Sequence, residues 1–176
     1  MKRLRLNSAV PIKKYSMKAF IPILFFLFFS NPEIADVRKT YTDAAKSEAN
    51  AKSFAEKLSS VSDTDSDKVL VAYKGCSLTL KSKFSGNLGD KINFMKEGAK
   101  LIDGAVASEP NNIEIRMIRF SVQESVPKIV GYKKNKAEDK TFILAHYKDA
   151  GDIKEYIKNF INQSKSFTAA EKKALK

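Results

Sequence analysis

The strongest indication of fold in this chain is an apolar stretch near its middle, Val69-Leu70-Val71-Ala72-Tyr73-Lys74-Gly75-Cys76-Ser77-Leu78-Thr79-Leu80-Lys81-Ser82-Lys83-Phe84. Its apolar side chains fall on several faces of a helix: Val69, Ala72, Tyr73, Cys76 and Leu80 on one, and Leu70, Leu78 and Phe84 elsewhere. A helix that is apolar nearly all round is buried between neighbours. The stretch therefore predicts a central helix with other helices packed around it.

Downstream of this stretch, turn residues are followed by a second long apolar pattern. Residues 85–89, Ser-Gly-Asn-Leu-Gly, end the central helix, and Asp90 is placed to cap a helix over about 91–108. This helix has two apolar stripes: Ile92, Met95, Ala99, Ile102 and Val106, and beside them Phe94, Gly98, Leu101 and Ala105. Two stripes imply two packing partners, as in stacked helical hairpins.

The apolar residues of the segment from Ile113 to about Glu124 fit the periodicity of a helix. Its alternating apolar residues are also typical of a strand. A single strand without a partner would leave its backbone groups unpaired, so we predict a helix capped by Asn112. Further helices are predicted over 135–147 and 153–161, and Thr168-Ala169-Ala170-Glu171 is a capping box for a short last one.

Upstream of the central stretch, apolar residues recur at threes and fours from Ile34 to Val61. They predict one long helix or two stacked ones, with Ser47, Asn50 or Ser53 marking a break. Residues 59–67 form a polar connection in which Asp65 or Asp67 caps the central helix. Residues 31–176 are thus predicted to be a single all-α domain of six or seven helices, stacked as antiparallel hairpins. Eight residues are expected to be largely buried: Phe54, Tyr73, Leu101, Ile102, Met117, Phe120, Ile157 and Phe160.

Part of the chain carries a spaced pattern of small and large residues. Gly98, Ile102 and Ala105 precede Pro110-Asn111-Asn112, and Val71, Gly75 and Leu78 lie upstream at matching intervals. Over about residues 71–125 the chain resembles a tetratricopeptide repeat, in which small residues let two helices of a hairpin approach and proline ends the unit. Lys74 stands where that pattern has leucine, and no second copy is visible. The resemblance implies hairpin geometry.

The first thirty residues have the order of a secretory signal. Lys13, Lys14 and Lys18 precede the uncharged apolar run 19–30, which is shorter than the roughly 20 residues a membrane-spanning helix needs. We predict a signal peptide over 1–30 and a mature N-terminus between Ser30 and Asp36, which places the protein in the periplasm or outside the cell. A start at Met17 would give a complete leader, making residues 1–16 a misassigned start. The alternative is an uncleaved signal that tethers the protein to the membrane.

The basic charge does not indicate nucleic-acid binding. The formal net charge is +12, but residues 1–30 hold six of the 32 basic residues and no acid, so 26 basic and 20 acidic residues leave +6 on the remainder. These charges are spread along mixed-sign helices without basic and aromatic residues interleaved. We therefore expect no nucleic-acid partner.

The sequence predicts neither a metal nor a cofactor. Cys76 and His146 are the only residues of their kinds, so no intramolecular disulfide is possible; we predict no Ser-His-Asp set, and there is no glycine-rich phosphate loop. Asp63, Asp65 and Asp67 imitate the opening of a calcium loop, but lysines stand where such a loop needs glycine and glutamate. Helix capping is the favoured interpretation of these carboxylates.

A polar stripe is the one candidate site in the sequence. Arg116, Arg119, Gln123 and Glu124 lie on a helix otherwise rich in apolar residues, and Tyr73 of the central helix is placed to face the same groove. Either these groups form a structural network between helices, which we favour, or they bind a peptide or anion in a hairpin groove. If they act together, Arg119 and Glu124 are expected to pair.

Two classes of function are compatible with this sequence. The favoured hypothesis is an exported module that binds a protein or peptide partner and has no catalytic activity. The alternative is an enzyme whose site is built from acidic residues and tyrosine.

Overall fold

Side-chain caps mark the N-termini of five helices in the computed structural model, which describes residues 31–175. The side chains of Ser47, Asp67, Asn87, Asn112 and Thr168 each accept a hydrogen bond from a backbone N–H in the first turn of the helix that follows. Eight α-helices result: α1 (Ile34–Ala44), α2 (Glu48–Lys57), α3 (Lys68–Phe84), α4 (Leu88–Ser108), α5 (Ile113–Ser125), α6 (Lys136–His146), α7 (Lys154–Gln163) and α8 (Ala169–Lys173).

The predicted all-α class is confirmed. Residues 31–175 contain no strand, and the ambiguous segment that begins at Ile113 is helical. The described part of the chain has eight α-helices where six or seven were predicted, because the segment from Ile34 to Val61 is divided at Ala45–Ser47. The proposed leader, residues 1–30, and the alternative start at Met17 lie outside the described residues.

The cap of α3 is one of the two predicted residues, whereas the cap of α4 is a different residue from the one predicted. Asp67 caps α3 through the N–H groups of Val69 and Leu70, whereas Asp65 accepts a bond from the N–H of Asp67. The cap of α4 is Asn87, and the prediction of Asp90 was wrong because α4 begins a turn earlier, at Leu88. The capping box at Thr168 is confirmed.

The hairpin of α3 and α4 is packed at backbone distance. A Cβ atom placed on Gly98 would lie 2.5 Å from the backbone oxygen of Gly75, and one on Gly75 would lie 2.7 Å from the backbone oxygen of Gly98. Only glycine allows two helices to approach so closely. This contact is consistent with the hairpin packing that the tetratricopeptide resemblance implies.

The core surrounds α3 and α5. Tyr41, Phe54 and Tyr73 bring the rings of α1, α2 and α3 into edge contact, and Phe120 of α5 packs on Phe160 of α7. Six of the eight residues predicted to be buried are buried, whereas Leu101 and Phe160 are partly buried. Between residues 31 and 175 no helix has the length and apolar character needed to cross a membrane.

Candidate functional site: an apolar groove with a lysine rim

A groove of about 1150 Å³ opens on one side of the helical domain. It is neither an enclosed cavity nor a flat surface, and its volume slightly exceeds that of a typical small-molecule site. Its walls come from the C-terminal end of α1, the N-terminal half of α4, the end of α5 with the segment 126–130, and α7, while α3 contributes to its floor.

Exposed apolar side chains line two walls of this groove. Leu88 and Ile92 of α4 are 72% and 46% exposed, and Ile129 and Val130 of the segment after α5 are 96% and 41% exposed. These are the only large apolar residues classed as exposed between residues 31 and 175, and all four line the groove. Exposed apolar residues gathered in one concave place are typical of a binding surface.

The N-terminal half of α4 presents a helical apolar stripe to the groove. Leu88, Ile92 and Met95 follow each other at four and three residues, so they share one face of the helix. Ile102, on the predicted continuation of this stripe, is fully buried. The stripe was predicted to pack against a second helix, but within the described residues its first two turns face the groove.

The wall formed by the segment 126–130 is fixed by a turn and by a hydrogen bond. Residues Lys128–Val130 form a 3-10 turn that ends at Gly131, whose φ of 74° is a left-handed conformation that favours glycine. The hydroxyl of the next residue, Tyr132, donates a hydrogen bond of 2.9 Å to Asp103 of α4. The turn and the hydrogen bond anchor the segment that carries Ile129 and Val130, both of which line the groove.

The floor of the groove is neutral and unreactive. Burial raises the pKa of the Cys76 thiol from 9.0 to about 12, so the thiol stays protonated near neutral pH. The hydroxyls of Tyr41 and Ser121 are hydrogen-bonded to each other, and the Ser121 hydroxyl also bonds the backbone oxygen of Ile118. None of these groups is arranged as an activated nucleophile.

Four lysines and two carboxylates line the groove. Lys46 pairs with Asp43 at 2.5 Å, and Lys83 donates to the backbone oxygen of Ala45, which caps the end of α1. Lys91 and Lys96 of α4 make no ion pair with any residue between 31 and 175. The groove therefore has a net positive rim on the helix that carries its apolar stripe.

The second carboxylate, Glu124, is already engaged. One of its oxygens accepts hydrogen bonds from the Ser164 hydroxyl at 2.8 Å and from the Ser166 N–H at 2.9 Å and hydroxyl at 2.6 Å. It thereby fastens the end of α7 to the end of α5. Glu124 is the only member of the predicted polar stripe that lines the groove.

The two arginines of the predicted stripe form an ion-pair network between α5 and α6. Arg119 donates two hydrogen bonds of 2.7 Å to Asp139, and Arg116 donates one of 2.9 Å to the same carboxylate, which is fully buried. Arg116 also pairs with Glu138. The expected pairing of Arg119 with Glu124 was wrong, because the tertiary fold brings an acid from α6 to the guanidinium.

The opposite charges in this network stabilise the ionised forms of their partners. Burial lowers the pKa of Arg119, but the hydrogen bond and charge of Asp139 outweigh burial, so the pKa is raised overall. The Arg116 hydrogen bond holds the pKa of Glu138 below its ordinary 4.5. The arginines are therefore charged and satisfied within the domain.

Tyr73 belongs to a separate buried cluster away from the polar stripe. Its hydroxyl donates to Glu114 at 2.7 Å and lies 2.9 Å from the hydroxyl of Tyr156, while Arg38 bonds both oxygens of Glu114. Burial, and then the neighbouring Tyr156 and Glu114, raise the pKa of Tyr73 well above 10.0. Only Tyr156 of this cluster reaches the groove.

Gln123, the remaining predicted site residue, is buried and does not line the groove. Its side chain is 1% exposed, and its amide oxygen has no hydrogen-bond partner among the described residues. The five predicted residues thus do not form one site. They divide between the α5–α6 network, the Tyr73 cluster, an isolated buried amide and the groove wall.

One feature of the sequence indicates the groove. Ile129 and Val130 are adjacent apolar residues in a connection between Pro127 and Gly131 that is otherwise basic. Apolar side chains in such a turn have no helical face on which to be buried, so they indicate a surface contact. The exposed half of the α4 stripe carried no such signal.

The described residues do not contain a cluster of side chains suited to binding a metal ion. Within residues 31–175 no group of three histidine, cysteine, aspartate or glutamate side chains is placed to hold an ion. Asp63 pairs with Lys74 at 2.7 Å and Asp67 caps α3, so two carboxylates of the calcium-like stretch bond different partners.

Comparison with protein-family models, with curated proteins and with solved structures gave no match.

Proposed function

We propose that this protein is an exported, non-catalytic helical module that binds a protein or peptide partner in the groove between α4 and the segment 126–130. The observation that carries the proposal is the position of Leu88, Ile92, Ile129 and Val130, all exposed and all lining this one groove. Covering them with a partner removes apolar surface from water, which is the main driving force of protein association. The tetratricopeptide likeness is part of the same proposal, and the hairpin packing of α3 and α4 is consistent with it.

The alternative, an enzyme built on acids and tyrosine, has less support. The Tyr73–Glu114–Tyr156 cluster is the closest arrangement of that kind. Burial raises the pKa values of both phenols, which therefore stay protonated near neutral pH and cannot serve as bases there. Glu114 is buried and bonded to Arg38 on both oxygens, so it too has no free position for a substrate.

Site-specific photocrosslinking tests the proposal. A photoreactive amino acid in place of Ile92 or Ile129 is expected to join the same partner protein in an envelope fraction, because both positions face one groove. The matched control is the same amino acid in place of Ala107, an exposed position of α4 outside the groove. Equal crosslinking from Ala107 would contradict the proposal.

A pair of substitutions provides the second arm. Ile92→Asp with Ile129→Asp is expected to abolish capture of the crosslinked partner and to leave the melting temperature within about 2 °C, since both side chains are exposed. Retained capture by this folded variant would show that the groove is not the binding site.

A further inference from the structure

We infer that the occupant of the groove is an acidic amphipathic helix of about three turns, bound with its apolar face on the α4 stripe and its carboxylates toward Lys91 and Lys96. This inference rests on the proposed function and adds the conformation and the charge of the partner segment.

The shape of the groove favours a helix as the occupant. Leu88, Ile92 and Met95 form a ridge at the spacing of four and three with which one helix packs against another. A helix is about 10 Å wide and rises 1.5 Å per residue, so a volume of about 1150 Å³ holds roughly ten residues of it. Ile129 and Val130, which line the same groove, would add apolar contact area to that helix.

The charge of the groove selects an acidic partner. Lys83, Lys91 and Lys96 line it without an ion pair in the described part of the chain, and its two carboxylates are occupied by Lys46 and by the serines near the end of α7. A basic occupant would meet uncompensated lysines. An acidic one would place opposite charges at the rim, where charge complementarity sets partner choice and the rate of association.

Other occupants fit these features less well. The chain's own apolar run, residues 19–30, has no acid and follows Lys18, so its charge does not match the rim. A bilayer presents a broad surface, whereas the apolar side chains here line a concavity that such a surface does not enter. The test below measures whether either of these two occupants competes with an acidic helix.

The test uses three labelled synthetic helices in fluorescence anisotropy with residues 31–176, the predicted mature chain. The helices have the same leucine stripe, with glutamate, lysine or glutamine on the polar face. The glutamate helix is expected to bind at least about tenfold more tightly than the lysine helix, and added salt is expected to weaken its binding.

Charge reversal on the protein provides the decisive arm. Lys91→Glu with Lys96→Glu is expected to invert the preference, so that the lysine helix binds more tightly than the glutamate helix. The matched control, Lys100→Glu with Lys134→Glu, changes the net charge equally at exposed positions outside the groove and is expected to keep the original preference.

The outcomes separate the two proposals. Equal binding of acidic and basic helices, or an unchanged preference in the Lys91 and Lys96 variant, overturns the inference and leaves peptide binding in place. Failure of all three helices, with no crosslinked partner, overturns both. Displacement of the glutamate helix by anionic vesicles, by a peptide of residues 17–30, or by self-association of the protein would also overturn the inference.

Discussion

Individual residues matter most in the network that joins α5 to α6. Asp139 is fully buried, and its charge is compensated by three hydrogen bonds from Arg116 and Arg119. A buried ion pair contributes little net stability over an apolar replacement, but removal of one partner leaves an uncompensated charge. The two arginines of the polar stripe thus hold α5 and α6 together.

Replacing Arg119 with alanine is expected to destabilise the domain by about 3 kcal/mol. Asp139 would lose two of its three hydrogen bonds, and the remaining one from Arg116 keeps the loss at the lower end of the range for broken buried pairs. Urea denaturation followed by circular dichroism measures the change.

The matched control for Arg119→Ala is Lys52→Ala, which removes an exposed ion pair with Glu56 on α2. Its effect is expected to stay below about 0.5 kcal/mol. An Arg119→Ala variant as stable as this control would show that the network does not support the fold.

Among the helices, the α3–α4 hairpin has the least room for change. Its two backbones meet at Gly75 and Gly98, where a methyl group would lie 2.5 to 2.7 Å from a backbone oxygen. A backbone atom cannot move aside as a flexible side chain can. The two helices would therefore have to separate, and the groove wall formed by α4 would shift with them.

Replacing Gly98 with alanine is expected to lower the free energy of unfolding by about 1–3 kcal/mol, although alanine is the better helix former. Gly104→Ala on the same helix is the control, because a Cβ atom there meets no other atom within 4 Å. That variant is expected to be more stable by about 0.5–1 kcal/mol. Thermal denaturation of both proteins compares them, and a stabilised Gly98→Ala variant would contradict the close packing.

Across the folded domain, four tyrosines on different elements have raised pKa values. Burial is the largest cause that raises the pKa values of Tyr41, Tyr73, Tyr132 and Tyr156 above 10.0. The folded state thus favours neutral phenols. Cys76 behaves in the same direction, with its pKa raised from 9.0 to about 12.

Alkaline pH is therefore expected to unfold the protein cooperatively. A group whose pKa is higher in the folded state contributes stability below its unfolded pKa and loses it as pH rises through the folded value. The free energy of unfolding should begin to fall above pH 9.0 and fall steeply above pH 10.0. Tyrosinate absorbance and helical circular dichroism are expected to change together, and full tyrosinate absorbance near pH 10 with the helices intact would contradict this.

The helices could be predicted from the sequence because their signals are local. Apolar spacing and caps such as Asp67, Asn112 and Thr168 depend on residues within one or two turns, and all three caps are confirmed. The missed cap at Asn87 is an error of position within a correctly predicted class, and the break near Ser47 is one that the sequence had indicated.

Which part of each helix face is covered depends on how the helices pack in three dimensions. Ile92 and Ile102 lie on the same predicted stripe of α4, yet Ile92 is 46% exposed in the groove and Ile102 is fully buried. Likewise the partner of Arg119 is Asp139, twenty residues away on another helix, and not the nearby Glu124. Which turns of an apolar stripe are covered, and which charges pair, depends on elements distant in the chain that periodicity within one helix does not specify.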